Sequence, residues 1–266
     1  MNLDESGLAQ LCGIAERAGA EIMRVYEAGT PQSWRKEDDS PVTEADLRAD
    51  EVISKGLAGA FPGVPRWSEE SGAPAVATDT LFLVDPLDGT KEFLGRNGEF
   101  TVNIALIVDG AARAGVVFAP ALGELYYAAA GSGAWKKAGS QSAPVRVAPV
   151  AAPAALRITG SRSHAGPELG AWLERVGRPF DFVPAGSSLK ICRVAEGRAD
   201  LYPRLGPTSQ WDTAAAQAVL EQAGGCMLDP GGAGLRYGMS RPVLNPWFIA
   251  LADPGMTYPS IARENF

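Results

Sequence analysis

Histidine is all but missing from this chain: His164 is the only one in 266 residues. One imidazole cannot build a His-rich zinc site, and in a Ser-His-Asp triad it would have to be placed by an acid. The chemistry is therefore expected to run on carboxylates and metal. Cysteine is scarce as well. Cys12, Cys192 and Cys226 are odd in number, far apart and without a CxxC pair, which predicts reduced core thiols in a cytoplasmic protein rather than a disulfide framework. Positive charge is in deficit, 24 Lys and Arg against 31 Asp and Glu for a net charge of −7. That balance argues against nucleic acid as a general partner, because phosphate backbones are bound through basic surface. No apolar run approaches a membrane span, and Met1-Asn2-Leu3-Asp4-Glu5 lacks the basic, then apolar, opening of a signal peptide. Internal repeats are absent too, and only an Ala-rich stretch at 151–155 is of low complexity.

What is present reads as an ordinary globular chain, 46% apolar and 21% charged, long enough for one large domain or two smaller ones. Leu8, Leu11, Cys12, Ala15, Ala18, Ile22 and Val25 recur at helical spacing until Gly29-Thr30-Pro31 ends the run. After a polar loop at 36–41, Thr43-Glu44-Ala45-Asp46 opens a second helix to about Ala60. Strands are expected at 81–84, 100–108, 115–119 and 125–129. The segments 139–144 and 151–155 read as connector, placing a boundary there between an α+β half (1–145) and an α/β half (146–266). In the second half the pattern predicts strands at 157–159, 199–202 and 247–251, and helices at 168–176, 188–196 and 213–223.

Chemistry concentrates at Asp85-Pro86-Leu87-Asp88-Gly89-Thr90, directly after the apolar run 81–84. A buried strand would deliver its carboxylates at one end, beside Trp67-Ser68-Glu69-Glu70-Ser71. Carboxylate clusters suit hard cations that prefer oxygen. Gly89 and Thr90 add backbone N–H groups on which a phosphate could dock if a helix begins there. Each acid also has a plainer explanation. Asp85 and Asp88 suit turns, and Glu69 suits a solvated loop. Asp46 could complete a capping box with Thr43, and Asp212 could be a helix N-cap worth roughly 1 kcal/mol. In the second half, Gly186-Ser187-Ser188-Leu189-Lys190 opens a helix with a lysine in its first turn, which the helix dipole disfavours unless an anion sits there. Arg204 follows a strand end and suits bidentate phosphate binding. His164, in Ser161-Arg162-Ser163-His164, would on its own be a loop residue.

In combination these motifs are specific. The chain resembles the inositol-monophosphatase superfamily of Mg²⁺-dependent, lithium-sensitive phosphatases, through Asp85 to Thr90, Glu69-Glu70 and Trp211-Asp212-Thr213-Ala214-Ala215. Within it the chain is similar to the bacterial CysQ-type 3′(2′),5′-bisphosphate nucleotidases. That likeness rests on Lys36-x-Asp38-x-Ser40-Pro41-Val42-Thr43-x-Ala45-Asp46, Arg96-Asn97-Gly98-Glu99-Phe100-Thr101-Val102-Asn103, Ser161 to His164, Gly186 to Lys190 and Tyr202-Pro203-Arg204. It runs from about residue 8 to 251.

The resemblance implies a five-layered αβαβα sandwich with the active site between its halves. Glu69, Asp85, the Leu87 carbonyl, Asp88 and Asp212 would hold two or three Mg²⁺ ions. Gly89 and Thr90 would present N–H groups to the phosphate. Thr90, backed by Asp46, would orient the attacking water, with Glu69 as an additional base. Ser187, Lys190 and Arg204 would line a nucleotide site, with His164 near the adenosine. The expected reaction is hydrolysis of adenosine 3′,5′-bisphosphate, and of its sulfated relative, in sulfur assimilation. Two alternatives stay open: an inositol 1-phosphate or other sugar-phosphate phosphatase, and a catalytically silent sensor of metal and nucleotide. The implied setting is cytoplasmic. Related proteins attach peripherally to the cytoplasmic face of the inner membrane, and the chain has no strongly basic amphipathic helix to support such attachment.

Overall fold

Residues 1–29, 32–35, 41–149, 155–161 and 167–262 are described by the structure, a computed structural model. Leu8, Leu11, Ile14, Ala18, Ile22 and Val25 form the buried face of α1 (Glu5–Ala28), which Asp4 caps by accepting from the Gly7 amide. Gly29, in the left-handed region at φ 92°, ends it. A hairpin of β1 (Ser33–Arg35) and β2 (Pro41–Thr43) leads into α2 (Glu44–Ala60), capped reciprocally by Thr43 and Asp46. There follow β3 (Arg66–Ser68), β4 (Thr80–Asp88) and the short α3 (Thr90–Leu94). An antiparallel meander comes next: β5 (Thr101–Val108), β6 (Ala111–Ala119), β7 (Glu124–Ala129), β8 (Ala134–Ala138) and β9 (Gln141–Val145). These strands make a seven-stranded sheet in the order β3 to β9, parallel only between β3 and β4.

The rest of the chain builds a second sheet. Its elements are β10 (Leu156–Gly160), α4 (Pro167–Arg175), β11 (Phe180–Pro184), α5 (Leu189–Ala195), β12 (Leu201–Arg204), α6 (Gln210–Gln222), β13 (Cys226–Leu228) and β14 (Phe248–Leu251). The order is β11-β10-β12-β14-β13, with β10 parallel to both neighbours and β14 antiparallel to both of its own.

Alternation along the strands divides the interior into three apolar cores. Phe82 and Val84 of β4 face Leu11, Ile22 and Ile53 of α1 and α2, whereas Leu81 and Leu83 face the opposite side. There they join Leu189 and Val194 of α5, Val219 of α6, and Tyr202 and Phe248 of the smaller sheet. The outer face of that sheet, through Ile158, Leu201 and Ile249, packs on Leu169 and Trp172 of α4. The layers therefore run αβαβα, the expected five-layered sandwich. In its middle layer α6 lies so close to β6 that a Cβ on Gly115 would sit 2.2 Å from the Ala215 carbonyl oxygen. Only glycine permits that approach.

Several local expectations need correction. The segment 139–144 is not connector: Gly139, at φ 60°, turns β8 into β9, and Pro144 is accommodated because β9 is the sheet's edge. β3, β8, β11, β13 and the β1–β2 hairpin have no counterpart among the strands that the sequence pattern predicts. α6 begins at Gln210 rather than 213, so Asp212 is not the N-cap but lies in the first turn, accepting from the Ser209 amide at 2.9 Å. β12 spans 201–204 rather than 199–202. Lys36, Asp38, Ser40, Arg162, Ser163 and His164 lie outside the described residues. Among the described residues no helix is long and apolar enough to cross a membrane.

Candidate active site

The site forms where β3 and β4 end side by side. Pro86 has no N–H to give the ladder, and the pairing of β4 with β5 becomes irregular between Asp85 and Asp88. Asp85 folds back to accept the Leu87 amide at 3.0 Å and is 1% exposed. Glu69 follows β3 and donates its amide to the Val84 carbonyl at 3.1 Å. Asp212 arrives on the first turn of α6. Carboxylate oxygens of Glu69, Asp85 and Asp212 all lie within 4.8 Å of one another.

Such crowding carries an electrostatic cost. Burial pushes the Asp85 carboxyl well above the usual range, and Glu69, Asp88 and Asp212 push it further. Asp212 is pushed up to about 8 by burial first, then by Asp88 and Glu69, while the Ser209 amide and Arg204 pull it down. An all-oxygen donor set whose members repel one another fits a hard divalent cation, which would offset the repulsion.

Asp88 stands outside that triplet of oxygens and has its own restraints. Its Oδ2 accepts from Ser187 Oγ at 2.5 Å, and from both the amide and Oγ of Ser188 at 2.7 Å. Ser187 holds a left-handed φ of 52° to make this clasp. Ser188 occupies the N-cap position of α5 but makes no side-chain cap bond. Its Oγ reaches the Asp212 carbonyl at 2.8 Å as well, and Asn103 Nδ2 donates to it at 2.6 Å. Segments from both sheets are thus bound at one carboxylate.

On the other flank, Thr90 Oγ1 donates to Asp46 Oδ1 at 3.4 Å, while Asp46 Oδ2 accepts the Thr43 amide at 2.8 Å and its hydroxyl at 2.7 Å. Asp46 is both helix cap and partner of Thr90. Burial raises its pKa above the ordinary carboxylate value, against the lowering effect of the Thr43 bonds. Gly89, at φ 91°, makes the turn that starts α3.

Asp88, Gly89 and Asp212 open onto a cavity of about 210 Å³, with Ser187, Lys190 and Arg204 also in its wall. Lys190 is 8% exposed, and among the described residues its ammonium meets only the Tyr202 ring, 5.7 Å from the centroid. Arg204 Nε and Thr208 Oγ1 are shut off from solvent without a hydrogen-bond partner among the described residues. Sequence reasoning missed Lys91, Glu92, Tyr202 and Thr208 in this wall. Lys91 and Glu92 directly follow the Asp85–Thr90 motif; Thr208 carries no local signal. His164 lies outside the described residues, so the structure does not place it.

Comparison with known proteins agrees with this architecture. The model for the inositol monophosphatase family matches residues 4–262. The CysQ 3′(2′),5′-bisphosphate nucleotidase of Salmonella typhimurium is 47% identical over 91% of this chain and 98% of its own length. Its counterpart in Escherichia coli K12 is 46% identical over the same shares. Among solved structures, CysQ from Bacteroides thetaiotaomicron superposes with a TM-score of 0.82 at 38% identity, covering 93% of this chain and 97% of that one. The Thermotoga maritima IMPase gives 0.76 at 26% identity, covering 91% and 90%. By its sequence over nearly its whole length and by its layered fold, the chain belongs to the inositol monophosphatase family, a family of metal-dependent enzymes.

Proposed function

We propose that the protein is a Mg²⁺-dependent 3′(2′),5′-bisphosphate nucleotidase that hydrolyses adenosine 3′,5′-bisphosphate to AMP and phosphate. One observation carries this reading furthest: a buried Lys190 ammonium, without an ion-pair partner among the described residues, shares its cavity with Asp88 and Asp212. A buried cation of this kind calls for a bound anion. A cation site and an anion socket in one cavity suit a substrate with two phosphates. The nucleotidases named above, at 46–47% identity, support the same choice.

In this reading Glu69, Asp85, the Leu87 carbonyl, Asp88 and Asp212 hold two or three ions. The bound Mg²⁺ supplies Lewis acidity, acidifying water and offsetting charge on the phosphoryl group. Gly89 and Thr90 turn amide hydrogens toward the phosphate. Thr90, its proton held by Asp46, offers an oxygen lone pair to the attacking water and so fixes its direction, with Glu69 as an additional base. Ser187, Lys190 and Arg204 receive the second phosphate and the nucleoside. His164 is assigned to the adenosine by resemblance alone.

The test is phosphate release, with Mg²⁺, from adenosine 3′,5′-bisphosphate and from inositol 1-phosphate, each with and without Li⁺. Lithium-inhibited preference for the bisphosphate is expected. Preference for inositol 1-phosphate would retain the metal chemistry and overturn the assignment of the second half. Binding of the nucleotide with no turnover of either compound would make the protein a sensor. In the same assay Lys190→Ala should raise KM for the bisphosphate at least about tenfold, the loss of one charge-assisted bond of roughly 1.5–3 kcal/mol. A monophosphate should be affected less. Equal effects would remove Lys190 from recognition of the second phosphate.

A further inference from the structure

One buried carboxylate near the site has no part in the reaction described above. Asp50 sits one helical turn after Asp46 on α2 and is 8% exposed. Residues four apart on a helix share a face, so both acids point inward from α2. Asp46 reaches Thr90, and Asp50 Oδ1 accepts the hydroxyl of Ser68 at 2.5 Å across 18 residues of chain. Ser68 is fully buried at the end of β3, immediately before Glu69. Its Oγ lies 3.4 Å from the Glu70 amide, and its backbone pairs with Gly72 in both directions, at 3.1 and 2.9 Å. The turn bearing Glu69 is therefore held on three sides: by Gly72, by the Val84 carbonyl, and through Ser68 by α2.

A buried carboxylate with one neutral hydroxyl as its partner among the described residues is an expensive way to anchor a turn. An apolar residue of similar size would cost the fold less. What Asp50 adds over an apolar residue is a directional acceptor for the Ser68 hydroxyl in a dry place. We infer that Asp50 is a positioning residue: acting through Ser68, it fixes the Glu69 turn against the same helix face that places Asp46, so the cation site and the water-orienting pair share one ruler. The inference rests on the reading of Glu69 as a metal ligand. Groups that orient a ligand from outside its coordination sphere typically change metal affinity by about 10–100-fold when removed.

Calorimetric titration of the metal-free protein with Mn²⁺, without substrate, tests this apart from turnover. Ser68→Ala and Asp50→Ala should each weaken Mn²⁺ binding by about tenfold or more. The double variant should bind no worse than the weaker single one, because both remove the same link. Asp50→Asn keeps an oxygen that can accept the Ser68 hydroxyl, so it should stay within about threefold of the parent; this conservative variant keeps the test meaningful should Asp50→Ala fail to fold. Parental Mn²⁺ affinity in Ser68→Ala would overturn the inference, as would losses that simply add in the double variant. Glu69→Gln separates the two levels. If it binds Mn²⁺ like the parent, Glu69 is no ligand and the reading beneath the inference fails. If it binds weakly while Ser68→Ala does not, only the positioning role of Asp50 fails.

Discussion

Asp46→Asn should lower kcat by about 10²–10⁴-fold, the range for a group that steers proton transfer, while the protein stays folded. The argument is one of hydrogen-bond polarity. Asp46 Oδ2 takes both the amide and the hydroxyl of Thr43, so an asparagine must keep its oxygen on that side. Its Nδ2 then faces Thr90 Oγ1, where Oδ1 now accepts. The Thr90 hydroxyl would have to receive instead of give, and its proton would turn toward the attacking water. A group that offered a lone pair would present a hydrogen and oppose the required orientation. The helix cap survives the exchange, so stability should change by no more than about 1 kcal/mol. Steady-state kinetics with a parallel thermal melt checks both halves. Near-parental kcat in a folded Asp46→Asn protein would reduce Asp46 to the helix cap.

The second large effect couples activity and stability in opposite directions. Asp85→Asn should abolish turnover, by at least about 10³-fold if the cation supplies several kcal/mol of charge stabilisation. In the absence of divalent cations the same variant should melt at a higher temperature than the parent. Asp85 is raised well above its ordinary value by burial and by Glu69, Asp88 and Asp212, so its ionised form opposes folding. The sign follows from linkage. A carboxyl whose folded pKa exceeds its unfolded value binds its proton more tightly when folded, so stability falls as pH climbs between the two values. For Asp212 that interval runs from 3.8 to about 8. The metal-free parent should thus lose melting temperature from pH 5 to pH 8, and Asp85→Asn should lose less. Mg²⁺ should restore the parent most strongly near pH 8, where the acids are most ionised. Melts in chelator across this range decide it; a metal-free parent that gains stability with rising pH would contradict the account of the cluster.

The parts of the structure legible in the sequence are those where a single physical signal dominates. Periodic apolar residues and a following glycine mark α1, and the run before Asp85 marks β4, because burial on both faces leaves no polar interruption. The acidic residues are conspicuous as a motif. Their convergence is not, since Glu69, Asp85 and Asp212 come from separate elements and only the layering brings them within 4.8 Å. β9 is hidden by its composition. Gln141-Ser142-Ala143-Pro144 looks like linker, and an exposed edge strand needs neither apolar alternation nor a full set of amide donors. α5 is legible as a helix at 188–196, but the burial of its charged residues is not. Lys190 and Arg193 are buried in it, and Arg193 bonds Glu124, Tyr126 and Glu196 in a charged cluster invisible to hydropathy. Asp50 and Ser68 carry no signal at all, because their pairing exists only in three dimensions.

The clasp at Asp88 bears on how this fold can be varied. Asp88 belongs to the seven-stranded sheet, whereas Ser187 and Ser188 arrive from beyond β11, and Ser188 also grips the segment that starts α6. Exchanging the C-terminal half with that of a relative, to transplant its substrate preference, would replace both serines and the Asp212 carbonyl while leaving Asp88 behind. The recipient carboxylate would keep its place only if the donor brought two hydroxyls and an amide to the same point. Under the function proposed above, specificity would therefore not be a detachable module: the segment assigned to substrate choice also holds Asp88 in place.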